Sequence, residues 1–297
     1  MTNANTVPAM AGMAAIADRY DGFILDLWGC LHDGLSPYPG TIDALRRLRA
    51  LRKRVVILSN APRRAGVVAA TMAAMGLTED LYDEVLSSGE EAWLAIASRG
   101  DPFHAALGRR CLLIGPERDR GMVEGNGLEP VASIRDADFI LVTGPRLDGM
   151  SVADHEAELD DAKVLDLKML CANPDFEVMK GTTRLVCAGA LALKYEQLGG
   201  VVRYHGKPYP SIYALCLGRL AIADRRRVLA VGDALRTDIA GAASAGIDSA
   251  FIPGGIHGPQ LGISMGELPE PARLARLYGD SDTRPSLTLA AFRWSGQ

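Results

Sequence analysis

Gly22-Phe-Ile-Leu-Asp-Leu-Trp-Gly-Cys-Leu-His-Asp-Gly34 places one carboxylate, Asp26, directly after a short apolar run and just ahead of Gly29. Phe23, Ile24 and Leu25 read as a buried strand, too short for a globular helix, and Gly29 lets the chain turn sharply as it leaves the sheet. Ligands of open α/β sheets sit outside the carboxyl ends of parallel strands, so Asp26 stands where chemistry is done. Three further polar clusters each follow an apolar run of their own. They are Ser59 and Asn60 after Val55-Val-Ile-Leu58, the turn His205-Gly-Lys-Pro208, and Asp233 after Val228-Leu-Ala-Val-Gly232, with Asp238 beyond.

Working outward, helix and strand signals alternate. Thr41 to Lys53 has an amphipathic helical pattern with Thr41 as its cap, Val55–Leu58 is a strand, and Arg63 to Met75 is helical with Gly76 as its stop. This alternation predicts an α/β fold, a Rossmann-like doubly wound parallel sheet. A second strand series follows, at Cys111–Ile114, Phe139–Thr143 and Met169–Ala172, with a helix over Val152–Val164. Lys207 and Asp233 arrive only after it, preceded by a returning helix over Leu191–Leu198. The polar clusters must converge on one sheet edge to act together. The expected architecture is therefore a discontinuous core over 1–90 and 190–297, interrupted by a smaller α/β domain over 91–189. Leu287, Leu289, Phe292 and Trp294 have the spacing of an amphipathic element that docks on the core or on a partner subunit.

The 297 residues, 48% apolar and 23% charged, suffice for two domains. A net charge of −4 provides no basic footprint for nucleic acid. No run approaches the roughly 18 apolar residues of a membrane span, and the first 20 residues lack a signal-peptide pattern. Five scattered cysteines read as reduced, buried thiols, so the expected location is the cytoplasm.

An Asp at a strand end can attack phosphorus if a cation offsets the repulsion between anions and donors hold the transferring group. Asp26 and Asp233 can share one Mg²⁺, a hard ion that prefers oxygen ligands. Lys207 can neutralise phosphoryl charge, Ser59 and Asn60 can donate to its oxygens, and the turn amides at Trp28 and Gly29 can form an anion nest. Each residue also has an ordinary role. Ser59-Asn60 is a plausible turn former, Asp238 suits a helix N-terminus before Ile239–Ala245, and His205 reads as a loop residue.

The order Asp26-Leu-Trp-Gly29, Ser59-Asn60, Gly206-Lys-Pro208, Gly232-Asp-Ala-Leu-Arg-Thr-Asp238 resembles the four motifs of the haloacid-dehalogenase-like hydrolases. Asn173-Pro-Asp175 and Cys187-Ala-Gly-Ala190 narrow the resemblance to the NagD-type, class IIA phosphatase branch, which carries its cap domain between the second and third motifs. The resemblance implies that Asp26 is nucleophile and metal ligand, that Ser59 and Lys207 hold the phosphate, and that Asp233 and Asp238 place Mg²⁺. It makes Asn173 and Asp175 part of a substrate-facing loop. It also implies a small phosphorylated metabolite as substrate and a homodimer as assembly.

One position departs from the family. Where its phosphatases have a second Asp as general acid and base, this chain has Trp28. The backbone carbonyl that the family uses for metal at this position remains, but indole cannot deliver a proton. Such help contributes about 10²–10⁴-fold, so either a slow phosphatase or a changed reaction is expected, with His32, Asp33 or an acid from the cap as candidate substitutes. The alternative is a degenerate relative that binds a phosphorylated ligand in a regulatory role. A metal-free carbon-halogen hydrolase is disfavoured, because Asp233 and Asp238 beside a nucleophilic Asp would only raise its pKa.

Overall fold

The computed structural model describes residues 7–180 and 183–295. In chain order the strands are β1 (Ala9–Met10), β2 (Gly22–Leu25), β3 (Arg54–Ser59), β4 (Glu84–Ser87), β5 (Arg110–Ile114), β6 (Glu129–Val131) and β7 (Phe139–Val142). They continue with β8 (Lys168–Cys171), β9 (Glu177–Lys180), β10 (Thr183–Val186), β11 (Val201–Tyr204), β12 (Val228–Gly232), β13 (Asp248–Phe251) and β14 (Leu287–Leu289). The chain divides into two compact units, residues 1–59, 69–86 and 207–297 in the first, residues 60–68 and 87–206 in the second.

The first unit is built on a seven-stranded sheet in the order β1-β14-β13-β12-β2-β3-β4. Its pairs from β1 through β3 are parallel. β2 is buried along its whole length, as a central strand covered on both faces must be. Leu25 stands opposite Val231 on one side and Ile57 on the other, so Asp26, Asp233 and Ser59 leave neighbouring strands at one edge. Ile24, Val56, Leu58 and Ala230 pack with Ile212, Cys216 and Ala242 from the helices Pro210–Leu220 and Ala240–Ala245.

The second unit holds a five-stranded parallel sheet, β11-β8-β7-β5-β6, and an antiparallel hairpin of β9 and β10. Leu159, Leu191 and Tyr195, from the helices Glu156–Val164 and Ala188–Gln197, pack on Ile140 and Met169. Ala92 and Ile96, from the helix Ser88–Ser98, pack with Phe139 and Leu141. The central strand β7, covered on both faces, therefore reads as a continuous apolar run.

Several expectations are corrected. The return to the first unit comes at Lys207 and not at 190, because β11 pairs with β8 in the second unit's sheet. Residues 60–68 also belong to the second unit. Arg63 Nε lies 2.8 Å from Asp119 Oδ1, and Arg64 Nε lies 2.7 Å from Glu90 Oε2. Thr41 does not cap its helix. Gly40, at φ +85°, precedes the first turn, and the Thr41 hydroxyl donates to the Phe292 carbonyl at 3.4 Å. The expected C-terminal amphipathic element is β14, an interior strand of the first sheet, with Phe292 buried beyond it. Among the described residues no helix is long and apolar enough to cross a membrane.

Candidate active site

Asp26, Lys207, Asp233 and Asp238 meet in the first unit, all of them buried. The backbone N–H of Asp26 donates to the Val231 carbonyl at 2.9 Å, which continues the β2 ladder one residue past the strand and fixes the carboxylate's exit. Oxygens of Asp26, Asp233 and Asp238 lie within 4.8 Å of one another. Lys207 Nζ donates to Asp26 Oδ1, lies 2.8 Å from Asp238 Oδ1, and donates to the Leu58 carbonyl at 3.2 Å.

The turn after β12 supplies the other two carboxylates. Asp238 sits on a single π-helical turn, Leu235–Ile239, a wide turn often found at functional sites. Its Oδ2 accepts from Ala234 N at 3.1 Å, and Tyr213 donates to its backbone carbonyl at 3.0 Å. Asp233 Oδ2 accepts from Ile256 N at 2.6 Å.

Glycines make room for these groups. A Cβ on Gly29 or Gly255 would collide with the Asp233 carboxylate, and one on Gly232 with that of Asp238. Gly29 also has φ +78°, which an L side chain rarely adopts. Gly29→Ala is therefore expected to cost about 1–3 kcal/mol in denaturant unfolding. It should also weaken divalent-cation binding, which calorimetric titration of the folded variant checks.

The electrostatics leave the cluster short of positive charge. Burial, with the carboxylates Asp26 and Asp238, pushes Asp233 well above the usual carboxylate range. Burial opposes the charge on Lys207, yet Asp238 and Asp26 overcome it and hold the ammonium well above its ordinary value. Three carboxylates thus face one cation. Hard oxygen donors with excess negative charge are the ligand set that Mg²⁺ takes, so the residues present fit that ion. Cys30, buried with its thiol pushed well up first by burial and then by Asp26, is no nucleophile.

Trp28 is half-buried in the same unit. Its ring meets that of His32 edge to face at 5.4 Å, and its indole lies where a Cβ on Gly34 would be. His32 Nδ1 accepts from Gly34 N at 2.8 Å, which leaves its ring proton on Nε2, and burial pushes the imidazole below its ordinary range. Asp33 accepts from the Ser36 and Leu35 amides, which hold it below the usual carboxylate range. A carboxylate so stabilised as an anion is a poor proton donor, and an imidazole held neutral with its Nδ1 lone pair already engaged offers a hydrogen bond from Nε2 and no acidic proton.

Ser59, at the end of β3, is buried in the first unit. Asn60, Asn173 and Asp175 lie in the second. There Asn60 Nδ2 donates to Asp175 Oδ1 at 2.9 Å, and Asn173 Oδ1 accepts from Asp175 N at 2.9 Å. The first turn of the helix Ala188–Gln197 closes on this segment, since Gly189 N donates to the Asp175 carbonyl at 3.1 Å. Sequence reasoning missed the Gly255-Ile256 turn, for which the glycine pair after β13 was the available signal. His205 is a loop residue, as read from the sequence, but its ring is buried against that of His104, which the sequence did not signal.

Comparison with known proteins agrees with this geometry. A family model described as haloacid dehalogenase-like hydrolase matches residues 23–129, and a second, HAD-hydrolase-like, matches 204–275. A solved hydrolase of the haloacid dehalogenase-like family from Brucella suis is 32% identical, with TM-score 0.80, over 94% of this chain and 97% of that one. The chain is 28% identical over 249 residues to a D-glycerol 3-phosphate phosphatase of Mycobacterium tuberculosis. That match takes in 82% of this chain and 66% of the relative, so the chain spans slightly under two thirds of its length. A glycerol phosphate phosphatase from M. tuberculosis, solved in complex with magnesium, superposes with TM-score 0.64 at 28% identity, over 81% of this chain and 70% of that one.

Proposed function

The chain belongs to the haloacid dehalogenase-like hydrolases, and from that premise we propose that it is a Mg²⁺-dependent phosphohydrolase of a small phosphorylated metabolite, working through an aspartyl-phosphate on Asp26. One observation carries the reading, the buried group of three carboxylates and one ammonium at the carboxyl edge of a parallel sheet. A pure binding site would have little need of a carboxylate held beside the phosphate lysine. Similarity to a glycerol 3-phosphate phosphatase supports a small phosphate ester as the substrate class.

Asp26, Asp233 and Asp238 would hold the ion, with the Trp28 carbonyl. When bound, Mg²⁺ screens the nucleophile from the anion it attacks and polarises the phosphoryl oxygens. Asp26 attacks phosphorus in line, forming the carboxyl-phosphorus bond as the ester oxygen leaves. Lys207 and the Ser59 hydroxyl balance the charge that builds on the phosphoryl oxygens. Water then attacks the aspartyl-phosphate, returning Asp26 and releasing phosphate. Asn60, Asn173 and Asp175 of the second unit, taken as the cap domain, are read as the substrate-facing set.

Trp28 governs which substrates are turned over fast. Without a carboxylic acid at that position, leaving groups that depart unprotonated lose least. Hydrolysis of acetyl phosphate and p-nitrophenyl phosphate should therefore outpace that of alkyl phosphates in the wild type. Trp28→Asp should accelerate alkyl phosphates by about 10²–10⁴-fold and leave acetyl phosphate nearly unchanged. Trp28 itself favours a second reading, a phosphorylated-ligand binder with a regulatory role. A wild type inert on all three substrates, with activity emerging in Trp28→Asp, would select that second reading.

A further inference from the structure

Four titratable side chains form a line through the second unit, outside the residues assigned so far. Asp101, half exposed, hydrogen-bonds His104 Nδ1. His104 Nε2 lies 3.0 Å from His205 Nε2, and His205 Nδ1 lies 3.6 Å from Glu91 Oε2. His104, His205 and Glu91 are each at most 5% exposed.

Counting protons along the line gives an imbalance. Three gaps each need one proton to become a hydrogen bond, and two neutral imidazoles bring two. Burial opposes it, yet the hydrogen bonds from His104 hold Asp101 below the usual carboxylate range, so Asp101 accepts and His104 carries its proton on Nδ1. His104 Nε2 then accepts from His205 Nε2. That leaves the lone pair of His205 Nδ1 facing a carboxylate. The geometry agrees, because the third gap is the long one. Among the described residues, His205 Nδ1 and Glu91 Oε1 are buried without a hydrogen-bond partner. Leaving such atoms unmatched in a buried site is destabilising.

We infer that Glu91 and His205 form a proton-operated latch on the turn that precedes Lys207: one proton taken up at His205 Nδ1 closes the gap to Glu91 and fixes Gly206. Glu91 Oε2 already accepts from Gly206 N at 2.7 Å. Gly206 has φ +105° and is tightly enclosed, since a Cβ there would lie 2.5 Å from Asn60 Oδ1, 2.6 Å from Ser88 Cβ and 3.1 Å from Pro174 Cδ. Movement of Glu91 therefore reaches the turn, the Asn-Pro-Asp loop and the segment where the chain enters the unit. The next residue is Lys207, where the chain leaves the unit, so the latch fixes the last turn before that exit.

The charged groups around the pair come from every neighbouring element. Glu91 comes from the helix Ser88–Ser98, Asp101 from the cap of the helix Pro102–Ala105, and Arg203 from β11, 4.9 Å over the Phe103 ring. Lys168 of β8 lies over the same ring at 5.5 Å. Burial, and then the charges of His205 and Arg203, push His104 below its ordinary range.

The test is ¹⁵N-resolved NMR of the histidine rings and of the Gly206 amide in the full chain across pH. In the wild type, His205 should gain a second ring proton as pH falls, and the Gly206 amide should move with it. Glu91→Gln keeps an acceptor for Gly206 without the charge. It should reduce proton affinity at His205 roughly tenfold, about one pH unit. Asp101→Ala, at the solvent-facing end, frees His104 to carry its proton on Nε2. Two protons then suffice, and the pH dependence of the Gly206 amide should vanish. A wild-type His205 that stays neutral down to acid unfolding, or variants that titrate like the wild type, would overturn the latch. None of these readings depends on phosphatase activity.

Discussion

Asp26→Asn is expected to abolish turnover, by on the order of 10⁴–10⁶-fold in kcat, in a protein that still folds. The amide is nearly isosteric with the carboxylate but is too weak a nucleophile to form the acyl-phosphate bond. Folding should survive because Lys207 keeps Asp238 at 2.8 Å and the Leu58 carbonyl at 3.2 Å after Asp26 is neutralised. The backbone bond from residue 26 to Val231 is likewise untouched by the change. The measurement is phosphate release from acetyl phosphate at saturating Mg²⁺, paired with denaturant unfolding to show that the loss lies in chemistry. Acid-quenched wild-type enzyme should trap labelled phosphate on Asp26, and the variant should trap none. A variant retaining more than a few per cent of wild-type kcat would place the nucleophile elsewhere.

Lys207→Met should show the second large effect, on stability as much as on activity. The methionine matches the stem of the lysine but leaves Asp26, Asp233 and Asp238 buried without their cation. Breaking a buried ion pair from one side costs about 3–5 kcal/mol, because the remaining charge stays uncompensated. Urea unfolding without divalent cation should reveal that loss. The deficit should shrink with added Mg²⁺ for any ion affinity the three carboxylates retain. It should also shrink as pH falls. Asp233 has its folded pKa raised by burial and by its neighbours, so protonation favours the folded state. The stability this confers is fully present below the ordinary carboxylate range and is lost as pH rises toward the raised value. Turnover should drop by about 10²–10³-fold even where Mg²⁺ restores the fold, since the charge facing the phosphoryl oxygens is missing.

Much of this centre was legible before any coordinates. Asp26, Ser59 and Asp233 follow uninterrupted apolar runs, and a buried parallel strand must end in something polar where the sheet meets its ligand edge. Lys207 was recognisable from the Gly-Lys-Pro turn and the order of the motifs. Asp238 was placed beside its helix, although the wide π-helical turn that aims its carboxylate has no periodic signature. Asn60 and Ser59, adjacent in the chain, fall in different units, and the partners that Arg63 and Arg64 meet in the second unit are ones local pattern does not reveal.

Neither β1, at the sheet's edge, nor β14, just inside it, was legible as a strand, because two or three residues carry too little alternation to register. β11 escaped because half its residues face outward at an edge. The chain's local order therefore determined by itself the fold class, the strand-end carboxylates and the lysine that serves them, since apolar runs and turn glycines are properties of neighbouring residues. Only the tertiary structure decided the return at Lys207, the clearance that Gly232 and Gly255 make for two carboxylates, and the burial of His205 against His104 and Glu91. Each of these depends on partners far apart in sequence, brought together by sheet pairing and packing, and no local pattern encodes which distant groups will meet.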